Sequence, residues 1–479
     1  MPRPDRLDIE PDARATLLLT VLVGAQFMIS MDATIVNVAL PSVSVGLGIS
    51  QLDLGWVVNA YALAFGGLLL VGSRAGDRFG RRRMFLIGTA VFTLGSLACG
   101  VASNESILIA ARALQGVGAA VMSPVAMSLI LVAFNGRERH RALGLWSSMS
   151  GVAGSVGMLL GGLLAMLSWR WNFWVNIPAG LAILLLGRRV LVESQQPAAG
   201  PPDLLGALLG TSGIGLMVYG VVAAERVGWT SWQSGGLIVV AAILLGAFLA
   251  VQVRAADPLV PLTIFRNRHV AVGNAVTALV GGGGQVFYFV LTLYLQRVLG
   301  FSPLSSGLVF LPVGIGIAAT SLPAARLIRA LGIRTVLSGG LGFMIVGLSW
   351  LAQASTGTQY LTGIAVPTLI WGVGFGLAQS GAFIAGAQNV GPESAGVASG
   401  LIATTYRIGG AVGLAAMASL ATFRSGTGGP PDQSALAAGY SWALLGAGAF
   451  AILGAALTFL LPSEHTFPTF RPHAATRGA

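Results

Sequence analysis

Fourteen runs of predominantly apolar residues, each about 20 long, succeed one another along this chain, and that repetition constrains its fold more than any motif does. A helix needs roughly 20 apolar residues to cross the hydrocarbon of a bilayer. The sequence therefore predicts an all-α polytopic membrane protein of 14 transmembrane helices. Predicted spans include 15 to 40, 54 to 73, 84 to 103, 106 to 130, 142 to 167, 173 to 191, 270 to 296, 304 to 325 and 396 to 422. An even number of spans puts both termini on one side.

Arginine fixes that side. All 27 basic residues are Arg, and with the N-terminus placed inside, 21 fall in cytoplasmic segments, four outside and two within spans. Cytoplasmic loops carry an excess of positive charge, and a miscounted span would scramble so lopsided a distribution. The densest cluster, SRAGDRFGRRR from Ser73 to Arg83, reads as a short basic turn between two apolar runs. The first thirteen residues alternate charge without a net positive start or a following cleavage site, so the expectation is a retained, cytoplasmic N-terminus.

The residues also exclude several chemistries. Only 9% are charged, far below a soluble domain, and the net charge of +11 is dispersed through loops rather than gathered into a nucleic-acid patch. Without Lys there is no phosphate-loop lysine and no Schiff base. Cys99 is the single cysteine, which rules out an intramolecular disulfide or a cysteine metal cluster. The four histidines lack metal-ligand spacing, and no GxSxG elbow occurs.

Two polar joints divide the spans into six, two and six. The boundaries expected are 1–14 for the N-terminus, 15–191 for a first six-helix bundle and 192–203 for a linker. Two additional helices follow at 204–253, then a second linker at 254–269, a second six-helix bundle at 270–461 and a tail at 462–479. The turn RLIRALGIR repeats the earlier basic turn, with Arg326 matching Arg74, Gly332 matching Gly80 and Arg334 matching Arg82, while Arg329 stands where Asp77 would be. Repeated halves suit alternating access, in which one bundle rocks against the other.

Several motifs, in this order and spacing, resemble one family. MDATIVNVALP (Met31 to Pro41), the Ser73 to Arg83 loop with Asp77, Gly80 and Arg81, LIAARALQGVGAA (Leu108 to Ala120) and GSVGMLLGG (Gly154 to Gly162) are similar to signatures of the major facilitator superfamily. Together with TTYRIGGAVGLA (Thr404 to Ala415) they resemble its fourteen-span drug:proton antiporters of the EmrB/QacA type. The chain departs at Ser73, Ala75, Thr404 and Ile408, and Met158 stands where the antiporter motif has proline. The resemblance implies the major facilitator fold and a proton-coupled efflux transporter for amphipathic or apolar drugs that confers resistance. It would work in the cytoplasmic membrane as a monomer, with the proton gradient as energy source and no cofactor, metal or nucleic acid. An importer or exporter of one metabolite on the same scaffold is the alternative, and a membrane enzyme or sensor the remote one.

Physical reasoning selects the residues. Asp32 is the one acid well inside a span, and intramembrane charges are functional by default. Asp32 and Arg112 both lie about seven residues from the outer ends of their spans, hence at a similar depth of roughly 10 Å. The expectation is that Asp32 carries the proton and Arg112 tunes its pKa; the bland reading is a permanently paired structural acid. Asp77, Arg78, Gly80 and Arg81 are expected to form a gating clasp, against the simpler reading that the loop only enforces topology. Gly154, Gly157, Gly161 and Gly162 are expected to let helices approach closely. Trp56, Tyr61, Gln115, Phe287, Tyr288, Trp371, Phe375 and Arg407 are candidate cavity residues, Arg407 binding either backbone carbonyls or substrate. The glycines at 281–284 read as a flexible or tightly packed part of a span, and Trp169, Trp171, Phe173, Trp174, Trp229 and Trp232 as an interfacial belt.

Overall fold

The computed structural model describes residues 11–134, 136–194, 203–255, 258–260, 262–321, 323–388, 395–425 and 433–461. Among them every regular element is a helix. The N-terminal set comprises α1 (Pro11–Leu47), α2 (Gln51–Phe79), α3 (Arg81–Gly100), α4 (Glu105–Ala133), α5 (Gly136–Ala165), α6 (Trp171–Trp174) and α7 (Asn176–Val190). Two further helices, α8 (Leu204–Val227) and α9 (Leu237–Arg254), precede the C-terminal set. That set runs through α10 (Arg268–Leu293), α11 (Pro303–Val309), α12 (Leu311–Ser321), α13 (Ala324–Leu331), α14 (Ile333–Leu351), α15 (Val366–Ala387), α16 (Ala395–Ser425) and α17 (Gln433–Thr458). Among the described residues, eleven helical stretches are long and apolar enough to cross a membrane, and shorter apolar stretches occur at Asp53–Leu69, Val152–Ala165 and Leu205–Val221, within α2, α5 and α8.

Local chemistry starts these helices where it should. Ser50, Asn104, Asp203 and Ser302 each accept a hydrogen bond from the backbone N–H three residues on, at 3.2, 2.9, 2.8 and 3.1 Å. Such caps satisfy donors that the first turn leaves unpaired.

The basic segment differs from its sequence reading. Rather than a turn over Ser73 to Arg83, α2 continues helical to Phe79, Gly80 alone breaks the chain and α3 begins at Arg81. Gly80 has φ 101° and ψ 126°, a conformation costly for residues with a Cβ. Its counterpart Gly332, between α13 and α14, has φ 83° and ψ 151°, so the degenerate repeat survives as backbone geometry. The span read as 304 to 325 is also broken, at Phe310, into α11 and α12, and RLIRALGIR is largely helical as α13. α5 runs unbroken through the buried Met158.

The two sets form two bundles. In the first, α1 packs on α5, α4 and α7, while α3 packs on α4 and α7; in the second, α10 packs on α15, α16 and α17. Between them α5 meets α11 and α12, and α2 meets α16, whereas α8 and α9 pair with each other and α8 lies against α2 and α16. The largest apolar core draws Ile35 to Val43, Val57, Cys99, Leu108 and Met158 from the first bundle and joins them to Phe287, Leu295 and Phe310 of the second. Those first-bundle residues all lie at the end away from the Arg-rich segments. Toward the Arg-rich end the first bundle has a separate core around Leu22, Phe65, Phe92 and Leu129.

Small residues permit the close contacts. A Cβ on Gly161 would lie 2.6 Å from the Ile35 carbonyl, and one on Gly157 would meet Thr34 and the Met31 carbonyl, both on α1. Gly162 instead faces Pro303 across the bundle interface, whereas Gly154 touches only Thr34 at 4.0 Å. The glycines at 281–284 are helical and packed, Gly281 against the Tyr406 backbone and Gly284 against the Phe375 ring. Of the residues read as an interfacial belt, Trp171, Trp229 and Trp232 are exposed, but Trp169 and Phe173 are buried and stack edge to face at 6.1 Å. They belong to the core because the short helix α6 folds back over the ends of α1, α3 and α5.

Candidate functional site

Asp32 on α1 and Arg112 on α4 meet in the interior of the first bundle. Arg112 Nη1 donates to Asp32 Oδ2 at 2.6 Å, and both side chains are fully buried. The Arg112 Nε donates to the Val57 carbonyl of α2 at 2.9 Å, and Nη1 also reaches Gln115 Oε1 at 2.8 Å. The guanidinium lies 4.3 Å from the Tyr61 ring centroid. A buried charge needs a partner and hydrogen bonds, and this one has a counter-charge on α1 and acceptors on α2 and α4, while its Nη2 makes no hydrogen bond.

The other carboxylate oxygen has partners that hydropathy could not reveal. Asp32 Oδ1 accepts from Gln115 Nε2 and from Asn176 Nδ2, each at 2.8 Å. Both amides also donate to Ser96 Oγ, at 3.0 and 3.1 Å, and Ser96 in turn donates to the Phe173 carbonyl at 2.8 Å. Cys99 Sγ contacts Gln115 Oε1 at 3.4 Å. Every one of these direct partners donates to Asp32, and because Oδ1 already accepts two hydrogen bonds, a proton on that oxygen would require one of its amide donors to turn away. The network ties α1, α3, α4 and the start of α7 together, so such a turn would be felt by four helices.

A small cavity lies between the bundles, next to this network. It is lined by Ala33, Val58 and Tyr61 from the first bundle and by Gln285, Tyr406 and Arg407 from the second, among others. Tyr61 belongs to both places: one face borders the cavity and its ring covers Arg112. The Arg407 guanidinium sits 4.6 Å from the Phe65 ring centroid, and among the described residues no carboxylate pairs with it.

The remaining candidates are distributed elsewhere. Gln115 is part of the carboxylate network. Phe287, Trp371 and Phe375 form a face-to-face stack, with centroids 3.6 and 4.7 Å apart, inside the second bundle. Tyr288 packs edge-on against Trp371 at 5.7 Å, and Trp56 lies against Tyr219 of α8 at 5.9 Å. None of these five lines the central cavity in this conformation: four stack on one another within the second bundle, and Trp56 packs against α8.

At the Arg-rich end, the side chain of Asp77 lies outside the described residues, and Arg78 is exposed. The contact visible there involves Glu193, which the sequence reading passed over. Its carboxylate accepts from the backbone N–H groups of Arg82 and Arg83 at 3.0 and 3.1 Å, and the Arg81 N–H donates to the Ser194 carbonyl at 3.0 Å. An anion at a helix N-terminus is favourable. A Cβ on Gly80 would fall 2.7 Å from that carboxylate, so a side chain there would push Glu193 off the two N–H groups as well as strain φ.

The chain matches the model of the Major Facilitator Superfamily over residues 22–414. It is 39% identical over 455 residues to the cephamycin export protein CmcT of Amycolatopsis lactamdurans, spanning 94% of this chain and 93% of that one. It is 39% identical over 418 residues to the puromycin resistance protein pur8 of Streptomyces alboniger, covering 86% and 83% of the two chains. A lincomycin resistance protein of Streptomyces lincolnensis is 35% identical over 439 residues, covering 89% and 88%. Among solved structures, a bacterial homolog of the human lysosomal transporter Spinster, in an inward-facing and unoccupied conformation, superposes with a TM-score of 0.68. It covers 94% of this chain and 97% of that one at 16% identity, which speaks to the fold alone. With its two helical bundles, its intramembrane carboxylate–guanidinium pair and these relatives, the chain is a multi-pass membrane protein that belongs to the major facilitator superfamily.

Proposed function

We propose that this protein is a proton-coupled exporter of amphipathic or apolar compounds, antibiotics among them, acting as a monomer in the cytoplasmic membrane with both termini inside. The observation that carries the reading is the fully buried Asp32–Arg112 pair at 2.6 Å, beside a cavity between two bundles that can rock. Export of antibiotics is supported by the relatives named for cephamycin export and for puromycin and lincomycin resistance.

In this reading the cycle couples Asp32 to the cavity through Tyr61. A proton arriving from outside neutralises Asp32 and releases Arg112 from it; the substrate is discharged and the bundles close at the far end. Inward opening then re-forms the Arg112, Gln115 and Asn176 bonds and expels the proton to the cytoplasm. The apolar core shared at the end away from the Arg-rich segments corresponds to a conformation closed to the outside. Gln296 Nε2 of the second bundle donates to the Val38 carbonyl of the first at 2.8 Å, which fastens that end.

Arg407 narrows the substrate class. A guanidinium without a described carboxylate partner, held by aromatic faces in the cavity wall, repels cations and suits neutral or anionic groups. The test is export of chloramphenicol and of a cationic dye from reconstituted vesicles under an imposed pH gradient. The reading requires gradient-driven movement of the neutral compound that disappears in Asp32→Asn. Undiminished gradient coupling in that variant would overturn it.

A further inference from the structure

A second cavity, of about 170 Å³, lies outside the central site where the two additional helices meet the bundles. Its walls come from α2 (Gly67), α8 (Thr211), α9 (Phe248), the following segment (Leu259) and α16 (Thr404, Ile408), among others. Leu249 and Phe265 also line it while remaining 49% and 37% exposed, so it opens on the protein's outer face, between helices that are apolar outside. An apolar cavity of roughly 150 Å³ stays dry and accepts a benzene-sized molecule. This one has room for a single ring or a short chain.

One polar group in the wall has no partner. The Thr211 hydroxyl donates to the Gly67 carbonyl at 2.9 Å and is satisfied. Thr404 is only 6% exposed and its Oγ1 makes no hydrogen bond. Elsewhere in the membrane helices, Thr277, Thr292, Thr320, Thr368 and Thr458 all donate to a carbonyl three or four residues back. Thr404 departs from that habit, and a buried hydroxyl left unsatisfied is costly. The wall is thus built for an apolar body bearing one hydrogen-bonding group.

The cavity also adjoins the central one. On α16, Thr404 and Ile408 face the lateral cavity while Tyr406 and Arg407 face the central cavity, and on α2 Gly67 and Tyr61 divide in the same way. The partition is thin: a Cβ built on Gly66 would lie 3.1 Å from the Arg407 Cβ. Resting on the export reading, we infer that the α2, α8, α9 and α16 seam is a lateral docking site. There a neutral, one-ring apolar compound carrying a hydroxyl or carbonyl, drawn from the bilayer, binds before reaching the central cavity. The two additional helices supply the lipid-side wall of that site.

The test uses the full-length protein in nanodiscs with a photoreactive probe, benzyl alcohol bearing a trifluoromethyl diazirine, read by peptide mass spectrometry. Saturable adducts are expected within residues 204–214 and 401–408, with chloramphenicol competing for them. Ala207→Phe, which places a ring in the cavity, should abolish these adducts. Thr404→Val should raise the half-saturating concentration about fivefold, the scale of one lost hydrogen bond, and Thr404→Ser should not. Adducts spread evenly over lipid-facing helices, adducts confined to the central cavity, or adducts indifferent to both Ala207→Phe and Thr404→Val would overturn the site. Adducts that chloramphenicol does not displace would assign the cavity to lipid chains and overturn substrate docking. Labelling is read without a pH gradient, so a protein that labels here yet exports nothing would refute the export reading and not the cavity's occupancy.

Discussion

Removing both members of the Asp32–Arg112 pair should destabilise the protein no more than removing either one alone. In Arg112→Met the carboxylate loses its 2.6 Å counter-charge while remaining fully buried, and the Val57 carbonyl loses its donor. In Asp32→Asn the guanidinium is left buried without an anion. Stranding one charge of a buried pair costs about 3–5 kcal/mol, whereas replacing the whole pair by neutral groups of similar volume is often close to neutral. If the singles each cost about 4 kcal/mol, additivity would put the double variant near 8, and the buried pairing puts it at about 2–4. The geometry therefore requires a coupling energy of about 4 kcal/mol or more between the two sites. The assay is a double-mutant cycle on the purified protein, unfolded by sodium dodecyl sulfate in mixed micelles and followed by tryptophan fluorescence. Single-variant effects that add to within about 0.5 kcal/mol, the range of independent sites, would refute the reasoning.

Other expectations rest on different contacts. Gly80→Ala combines an unfavourable backbone with a steric clash against Glu193, so it should lower stability by more than the roughly 1–2 kcal/mol of backbone strain alone; Gly332→Ala, which meets nothing within 4 Å, should lose only that strain, and equal losses in thermal unfolding would contradict the structure. Asn176→Leu should impair gradient-driven export while Asn172→Leu, four residues earlier and making no side-chain hydrogen bond, should not; vesicle assays showing the reverse would remove Asn176 from the coupling network. Arg407→Leu should shift substrate preference toward cations by at least about tenfold, equivalent to roughly 1.4 kcal/mol, read as the ratio of export rates for a cationic dye and chloramphenicol. Gly162→Leu should block closure against Pro303 and leave a cysteine placed at Val38, in a Cys99→Ala background, open to a membrane-impermeant maleimide added from outside.

What the sequence made legible follows from strong physical signals. Apolar runs and arginine placement announce membrane helices because lipid tolerates neither free backbone groups nor stray charges. Asp32 and Arg112 stood out for the same reason, as rare charges in hydrocarbon. Asn176 and Ser96 carried no such signal: neutral polar residues are ordinary in membrane helices, and only the packing of α7 against α1 and α3 brings them to the carboxylate. Glu193 was hidden in a linker whose composition says only that it is polar. Tyr61 lines the central cavity, whereas Phe287, Tyr288, Trp371 and Phe375 stack inside the second bundle, because a stripe of Phe and Trp is equally suited to stacking and sequence does not distinguish a wall from a core. The basic segment was misread as a turn because arginine content marks a membrane boundary, whereas helix termination depended on Gly80 alone.

The central claim is that Asp32 exchanges its proton for substrate, and proton release tests it most directly. Purified protein in weakly buffered detergent solution, with a pH indicator present, is mixed with a transported compound. Wild-type protein should release on the order of one proton per bound substrate, since binding that favours the deprotonated form must expel it, and Asp32→Asn should release none. Equal release from both proteins would place the coupling proton elsewhere and contradict the account.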